Sequence, residues 1–332
     1  MRRQFLNDPQ DVVPEALEGF AAAWPHHVRL HGEPTYVVRA RHSPDKVAVV
    51  SGGGSGHEPL HVGFVGTGML DAAVPGAVFA SPTAVQIRAA SLATDTGRGV
   101  LHVVKNYTGD VLNFRIAGEL LAEEGVSSEV VLVDDDLATD TGDGDGPGRR
   151  GTAAVLAVEK VCGAAAELGA DLASLAALGR RVAAGGRTLS VALAAGAHPG
   201  ESRPSFDLPA DEVEFGVGIH GERARERRAF APARELVPQM VSPLVEALEL
   251  RRGEQVIAIV NGLGATSDLE LYGVFGQVRG FLEGSGIDVA RRLVGSYVTS
   301  LDMAGCSVTL VRADEEILRL WDAPVSTPAL TW

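Results

Sequence analysis

Cysteine is nearly absent from this chain of 332 residues, which has only Cys162 and Cys306. Two thiols cannot build a disulfide framework, and neither sits in a CxxC pair or beside a cluster of metal-ligand residues. That excludes the disulfide-rich secreted folds and fits a reducing compartment. Basic residues are outnumbered, with 29 Lys and Arg against 43 Asp and Glu and a formal charge of −14. A nucleic-acid partner needs a basic face, and the short run from Arg223 to Arg228 does not supply one. No stretch of about 18 apolar residues occurs, and the N-terminus has no apolar signal-peptide core. Neither a membrane span nor a leader is expected, and the chain reads as soluble and cytoplasmic. Aromatic residues are also few, at 5%, although hydrophobic residues reach 45%. Small and β-branched side chains suit closely packed α/β layers.

What is plentiful is glycine, 40 of 332 residues, gathered where loops are expected. The length exceeds what one hydrophobic core usually fills, so two domains are expected. Apolar runs at Val47 to Val50, Val100 to Val104 and Val130 to Val133 each lead through a loop into a helical pattern, which predicts a parallel sheet. One helix carries Leu112, Ile116 and Leu120 on a stripe and ends at Gly125; another opens at Ser81-Pro82. A Gly- and Asp-rich loop over Thr141 to Arg150 and two Ala-rich helices lead to a boundary near Gly185. Beyond it, strands are expected at Thr188 to Leu193, Val213 to Ile219, Val256 to Val260, Val289 to Ser296 and Ser307 to Val311, with helices near 233–250 and 266–283. The fold class is α/β, with an N-terminal α/β domain over 1–185 and a second α/β domain over 186–332.

Chemistry concentrates in three places. Ser51-Gly-Gly-Gly-Ser-Gly-His57-Glu58-Pro59 follows a strand directly, where open sheets bind ligands, and it matches neither a P-loop nor a dinucleotide fingerprint. His57 to His61 formally satisfies HExxH, but Pro59 prevents the helical turn that would bring both histidines to one zinc, so no metal site is expected. Lys105 and Asp110 flank a Gly turn after the next strand, where they either converge on a small polar ligand, Asp110 taking a hydroxyl proton, or form a surface ion pair. In the second half Val213, Phe215, Val217 and Ile219 alternate toward one face, which puts His220 with Glu214, Gly216 and Gly218 on the other. The loops Asn261 to Asp268 and Ser300 to Gly305 either line a cleft or only turn the chain. Asp134, Asp135, Asp136, Asp140, Asp143 and Asp145 read as a solvated acidic loop, because EF-hand spacing is missing. His26, His27 and His31 read as a helix end and the loop after it, and Trp321 and Trp332 as packing residues.

Taken together, VSGGGSGHEP, VVKNYTGD, FGVGIHGE, NGLGATSDLELY and SYVTSLDMAGCSVTL resemble the K subunit of dihydroxyacetone kinases, in order and spacing along nearly the whole chain. That resemblance implies that the ketone is held covalently as a hemiaminal on His220. It assigns substrate contacts to Gly54, Ser55, Gly56, His57, Lys105 and Asp110, and general acid/base work to His57 and Asp110. It implies a homodimer of the stand-alone K type with no cofactor of its own. ATP or ADP with Mg²⁺ would sit on an L-type partner subunit, which a phosphotransferase M subunit recharges in some systems. A four-carbon ketose such as erythrulose is an alternative substrate. A non-catalytic ketone sensor acting on a transcription factor is the alternative role.

Overall fold

The computed structural model describes residues 4–140, 148–223 and 226–332. Asp143 and Asp145 of the expected acidic loop, and Ala224-Arg225 of the basic run, lie outside the described residues. The chain divides into two compact units. One contains Leu6–Val133, Val155–Ala183 and Arg319–Trp332, and the other contains Asp134–Ala154 and Ala184–Leu318. Neither unit is one continuous stretch, as a single boundary at 185/186 would have it.

The first unit opens with α1 (Val12–Ala23), β1 (Val28–His31), β2 (Tyr36–Arg39), β3 (Ala48–Ser55), β4 (Ala72–Val78), α2 (Ala84–Thr94), β5 (Val100–Lys105), α3 (Thr108–Glu123) and β6 (Ser128–Val133). It continues with α4 (Val155–Glu167) and α5 (Leu172–Ala184). Its sheet runs β1-β2-β4-β3-β5-β6. β4, β3, β5 and β6 are parallel, while β1, β2 and β4 pair antiparallel, so the sheet is mixed rather than wholly parallel. Val50, Val74, Val100 and Val104 meet Ile87, Phe114 and Ala117 of α2 and α3 in one core. α2 starts two residues later than Ser81-Pro82 suggests, because Thr83 and Gln86 form a reciprocal capping box. His31 lies in β1, stacked on Tyr36 with ring centroids 4.5 Å apart, rather than in a loop.

α4 is buried on every side from Val155 to Ala166, so the two charged residues in that stretch, Glu159 and Lys160, need internal partners. Lys160 Nζ donates to the Leu320 carbonyl at 2.8 Å and lies 5.6 Å from the Trp332 ring. With Ser326 N donating to Thr67 O and Ala329 N to Gly63 O, this fastens the C-terminal segment into the first unit.

The second unit contains β7 (Gly186–Ala194), β8 (Glu212–Phe215), β9 (Glu226–Ala229), α6 (Ala233–Ala247), β10 (Gln255–Gly262), α7 (Asp268–Gly284), β11 (Asp288–Gly295) and β12 (Ala304–Arg312), and α8 (Glu315–Trp321) begins in it. The sheet order is β11-β10-β12-β7-β8-β9, with only β10 and β11 parallel among these neighbours. Val256, Ala258, Val260, Val308 and Leu310 pack against Leu236, Val241, Leu244, Leu271, Val278 and Leu282 of α6 and α7. Asp135 explains why Asp134–Ala154 belongs here. Its buried carboxylate accepts from Thr152 N at 2.6 Å, Thr152 Oγ1 at 2.7 Å, Ala154 N at 3.0 Å and the Thr188 hydroxyl of β7. Thr188 N donates in turn to Asp135 O at 2.8 Å.

Candidate functional site

In the first unit β3 does not stop at Val50. It runs through Gly52, Gly53 and Gly54, which pair with Val74, Pro75 and Gly76 of β4, so the expected glycine loop is largely strand. The glycines are needed for close approach. A Cβ on Gly52 would lie 2.5 Å from the Val74 carbonyl oxygen, one on Gly54 would lie 2.7 Å from Ala80 N, and one on Gly53 would collide with Lys105 Nζ. Ser55 Oγ donates to Gly76 O at 2.7 Å, and Gly56 N–H donates to both oxygens of Glu58 at 3.1 and 2.9 Å. These two groups therefore have local partners. His57 is 1% exposed and stacks on Phe79 at 5.1 Å. Phe79 holds a left-handed φ of 57°, an uncommon conformation for a bulky residue that places its ring against the imidazole.

The HExxH-like run lies in turns, ahead of a short 3₁₀ turn over Val62–Phe64. His61 serves a different purpose. Its Nδ1 is 2.6 Å from Glu159 Oε1 and 3.1 Å from Ser51 Oγ, and its Nε2 is 2.8 Å from Lys105 Nζ. Lys105 Nζ lies 4.0 Å from Asp110 Oδ2, with the two side chains 1% and 4% exposed, so this is a buried pair and not a surface one. β5 ends on Lys105, and Asp110 stands in the first turn of α3, where the helix dipole favours a carboxylate. Asp110 Oδ1 is buried with no hydrogen-bond partner among the described residues. That oxygen has the lone pairs to accept a ligand hydroxyl. Burial, then the charge of Lys105, then His57, drive the His61 pKa well below the ordinary imidazole value. Burial pushes Glu159 up to about 8 against the attraction of Lys105.

In the second unit β8 ends at Phe215, so the alternation expected through His220 breaks. Gly216 takes φ 90°, donates its N–H to Ser190 O at 2.7 Å and accepts from Arg150 Nη2 at 3.2 Å. Val213 and Phe215 then join the main core, while Val217 packs in a separate cluster with Ala192, Phe206 and Met303. His220 stands in a turn, its backbone N–H donating to Glu222 Oε2 and its Nδ1 3.0 Å from Glu222 Oε1. Burial works to raise the Glu222 pKa. The His220 hydrogen bond and charge, with Arg150 at 3.7 Å, outweigh it and hold Glu222 below the usual carboxylate value. When the imidazole is neutral, an ionised acceptor at Nδ1 keeps the proton on that nitrogen and the lone pair on Nε2. Arg150 is itself fixed by Asp136, through Nε at 2.8 Å and Nη2 at 2.7 Å, and burial pushes Asp136 up to about 6 against that pairing.

Sequence reasoning missed His61, Glu159, Ser51, Phe79, Arg150 and Asp136 as supports of these groups. One signal was available for Glu159: a carboxylate in the middle of an apolar helix. The loops after β10 and before β12 have structural duties. Asn261 donates to Val298 O at 2.8 Å and accepts from Tyr297 N and Val298 N, and Asp302 accepts from Ala197 N at 2.9 Å.

Two α/β units, one with a buried Lys-Asp pair where β5 meets α3 and one with an imidazole held in a nucleophilic tautomer, define a protein equipped to handle a small polar ligand. The chain belongs to the Dak1 domain family, which matches residues 18–329. It is 44% identical to the PEP-dependent dihydroxyacetone kinase, dihydroxyacetone-binding subunit DhaK, of Escherichia coli, over 99% of each chain. Among solved structures it is similar to the dihydroxyacetone kinase of C. freundii, at TM-score 0.89 and 35% identity over 99% of this chain and 60% of that one. It is also similar to the dihydroxyacetone kinase operon co-activator DhaQ, at TM-score 0.89 and 33% identity over 95% and 96% of the two chains.

Proposed function

We propose that this chain is the dihydroxyacetone-binding subunit of a dihydroxyacetone kinase, capturing its ketone covalently on His220. The observation that supports the reading is the hydrogen bond between His220 Nδ1 and the Glu222 carboxylate, which in the neutral imidazole puts the nucleophilic lone pair on Nε2. Nε2 adds to the carbonyl carbon, and the C=O π electrons move to oxygen, which takes a proton from an acid, the role assigned to His57. The Nδ1 proton stays in its hydrogen bond to the Glu222 carboxylate, which balances the cationic adduct, and the proton the oxygen gains is the one His57 gives up. Asp110 accepts the proton of the hydroxyl that receives phosphate, with Lys105 beside it and Gly54, Ser55, Gly56 and His57 contributing the remaining contacts. A three-carbon ketone offers few atoms for binding energy, so a reversible bond anchors it and discriminates against alcohols that lack a carbonyl.

The donor nucleotide, ATP or ADP with Mg²⁺, belongs on this reading to an L-type partner, with an M subunit as the possible source of phosphate. The homodimer rests on the same family resemblance, and the cytoplasmic location on the scarcity of cysteine, which suits a reducing compartment. Among the described residues no helix is long and apolar enough to cross a membrane. A second reading, a ketone sensor acting on a transcription factor, is favoured by the likeness to DhaQ. Asp110 argues for the kinase, since capture alone needs no base at the hydroxyl that receives phosphate.

The test is to add dihydroxyacetone labelled with ¹³C at the carbonyl and follow its resonance. In the wild-type chain it moves to the sp³ region, and His220→Ala abolishes that change; an adduct that persists in the variant removes His220 from the role. Adding an L-type partner and a phosphoryl donor then separates kinase from sensor by whether dihydroxyacetone phosphate appears. A panel of three- and four-carbon ketoses compared by kcat/KM separates dihydroxyacetone from erythrulose.

A further inference from the structure

We propose that Glu159 and His61 form a proton relay behind Lys105, setting whether its amine is a hydrogen-bond donor or a base; this rests on Lys105 belonging to the ligand site described above. The geometry leaves two internally consistent arrangements. In the first, Lys105 is an ammonium donating to His61 Nε2 at 2.8 Å, and His61 Nδ1–H donates to a Glu159 carboxylate at 2.6 Å. In the second, one Lys105 proton has moved to His61 Nε2 and the Nδ1 proton has moved to Glu159 Oε1, leaving a neutral amine, a neutral imidazole and a neutral carboxylic acid. The two hold the same number of protons and differ in no bond between heavy atoms.

Burial makes the exchange feasible. Glu159 is 0%, Lys105 1% and His61 5% exposed, so the separated charges of the first arrangement are paid for in desolvation that the second avoids. Burial pushes Glu159 up and His61 down, as a carboxyl able to accept the proton and an imidazole able to pass it require. Ser51 keeps the imidazole in register. Its hydroxyl donates to Val103 O at 2.7 Å and lies 3.1 Å from His61 Nδ1, where its lone pair favours the first arrangement, and it also contacts the Glu159 carboxyl. The groups that face the relay are Asp110 on α3, His57 in the turn before it, Ser51 on β3 and Cys162 on α4, whose thiol burial and Glu159 push up to about 12. His61 and Glu159 are positioning residues that act through Lys105.

The test does not depend on turnover, because the chain has only three lysines, Lys46, Lys105 and Lys160. In the full chain labelled with ¹³C at lysine Cε, three resonances are titrated against pH and assigned by substitution. In Glu159→Gln the carboxylate that balances the ammonium is gone, and the Lys105 titration moves down by one pH unit or more while Lys46 stays in place. Glu159→Asp, which shortens the side chain but keeps the charge, shows a smaller shift. A Lys105 titration that is the same in all three proteins overturns the relay. Should Glu159→Gln fail to fold, Ser51→Ala replaces it: loosening the imidazole broadens or shifts the Lys105 titration, and an unchanged one again overturns the proposal. Phosphorylation of dihydroxyacetone provides the second readout. The relay predicts a displaced pH profile of kcat with the His220 adduct retained. A relay seen by NMR in a chain that forms no ketone adduct refutes the proposed function and leaves the relay standing.

Discussion

Replacing Glu222 by Gln tests how the imidazole of His220 is made nucleophilic. The carboxylate serves two donors at once, the His220 backbone N–H on Oε2 and the ring Nδ1 on Oε1 at 3.0 Å. In Glu222→Gln one oxygen becomes an NH₂ group. The backbone N–H can only donate, so the remaining oxygen stays with it and the NH₂ turns toward Nδ1. The ring must then accept at Nδ1 and carry its proton on Nε2, which removes the attacking lone pair. Relative to wild type, the reactive tautomer in the variant lacks its hydrogen bond to a charged group, worth about 1.5–3 kcal/mol. At about 1.4 kcal/mol per factor of ten, the ketone adduct weakens about 10- to 150-fold. The assay is the equilibrium adduct fraction from the labelled carbonyl resonance over a range of dihydroxyacetone concentrations. Because the Glu222 pKa is depressed, the hydrogen bond is present above the usual carboxylate range and is lost only on acidification through the lower folded value. Loss of the Glu222 contact therefore adds no pH dependence to the wild-type adduct until that range is reached. An adduct constant within twofold of wild type in Glu222→Gln, with the fold intact, would refute the tautomer argument.

Asp135→Asn leaves one oxygen to satisfy donors that now share two, so at least one buried N–H or O–H around Thr152 and Thr188 loses its acceptor; a loss of about 1–3 kcal/mol or more is expected in urea unfolding, and unchanged stability contradicts the packing described for Asp134–Ala154. For Lys160, burial brings the ammonium down to about 8 despite the charge of Asp322. The unfolded chain, with a lysine pKa of about 10.4, then binds more protons than the folded one between those values, so stability rises with pH across that window. In Lys160→Met that rise disappears from the unfolding free energy, and an identical slope in both proteins shows that Lys160 is not the group responsible.

The sequence made strands and helices legible where apolar period and glycine punctuation agreed, as at Val100 to Val104; the helix that closes at Gly125 is there too, but it buries Phe114, Ala117 and Leu121 rather than the stripe of Leu112, Ile116 and Leu120. It misled where glycine does two jobs. Gly52 to Gly54 read as a loop because glycine usually breaks strands, yet here it lets β4, Ala80 and the Lys105 ammonium approach the backbone. The run Glu212 to His220 misled in the opposite sense, since regular alternation suggested one strand and Gly216, in a left-handed conformation, ended it. Lys105 and Asp110 were legible as a pair because five residues and one turn separate them. Glu159 lies 98 positions from His61, and no local pattern joins them. Only the rule that a charge in an all-round apolar helix must have a partner pointed there, and it could not name which.

That rule has a wider bearing on this chain. Only three of its 29 basic residues are lysine, and all three are buried in the first unit, at 4%, 1% and 1% exposure. Arginine carries the rest of the positive charge, in surface pairs such as Arg279 with Glu283 and once in the interior, where Arg39 shares Asp71 with Lys46. Arginine suits that position because its fork stays charged at any physiological pH. The lysine positions ask for something else. Lys46 reaches Asp71 at 2.6 Å, and Lys160 reaches a carbonyl with one compact donor. At Lys105 the space is set by the missing Cβ of Gly53, which an ammonium fills and a planar guanidinium would overrun. Arginine there would also never give up a proton, so it could hold a hydroxyl but could not exchange protons with His61 and Glu159. The requirement for lysine at position 105 is therefore chemical as well as steric, and the burial that makes its charge costly is the same burial that lets its proton move.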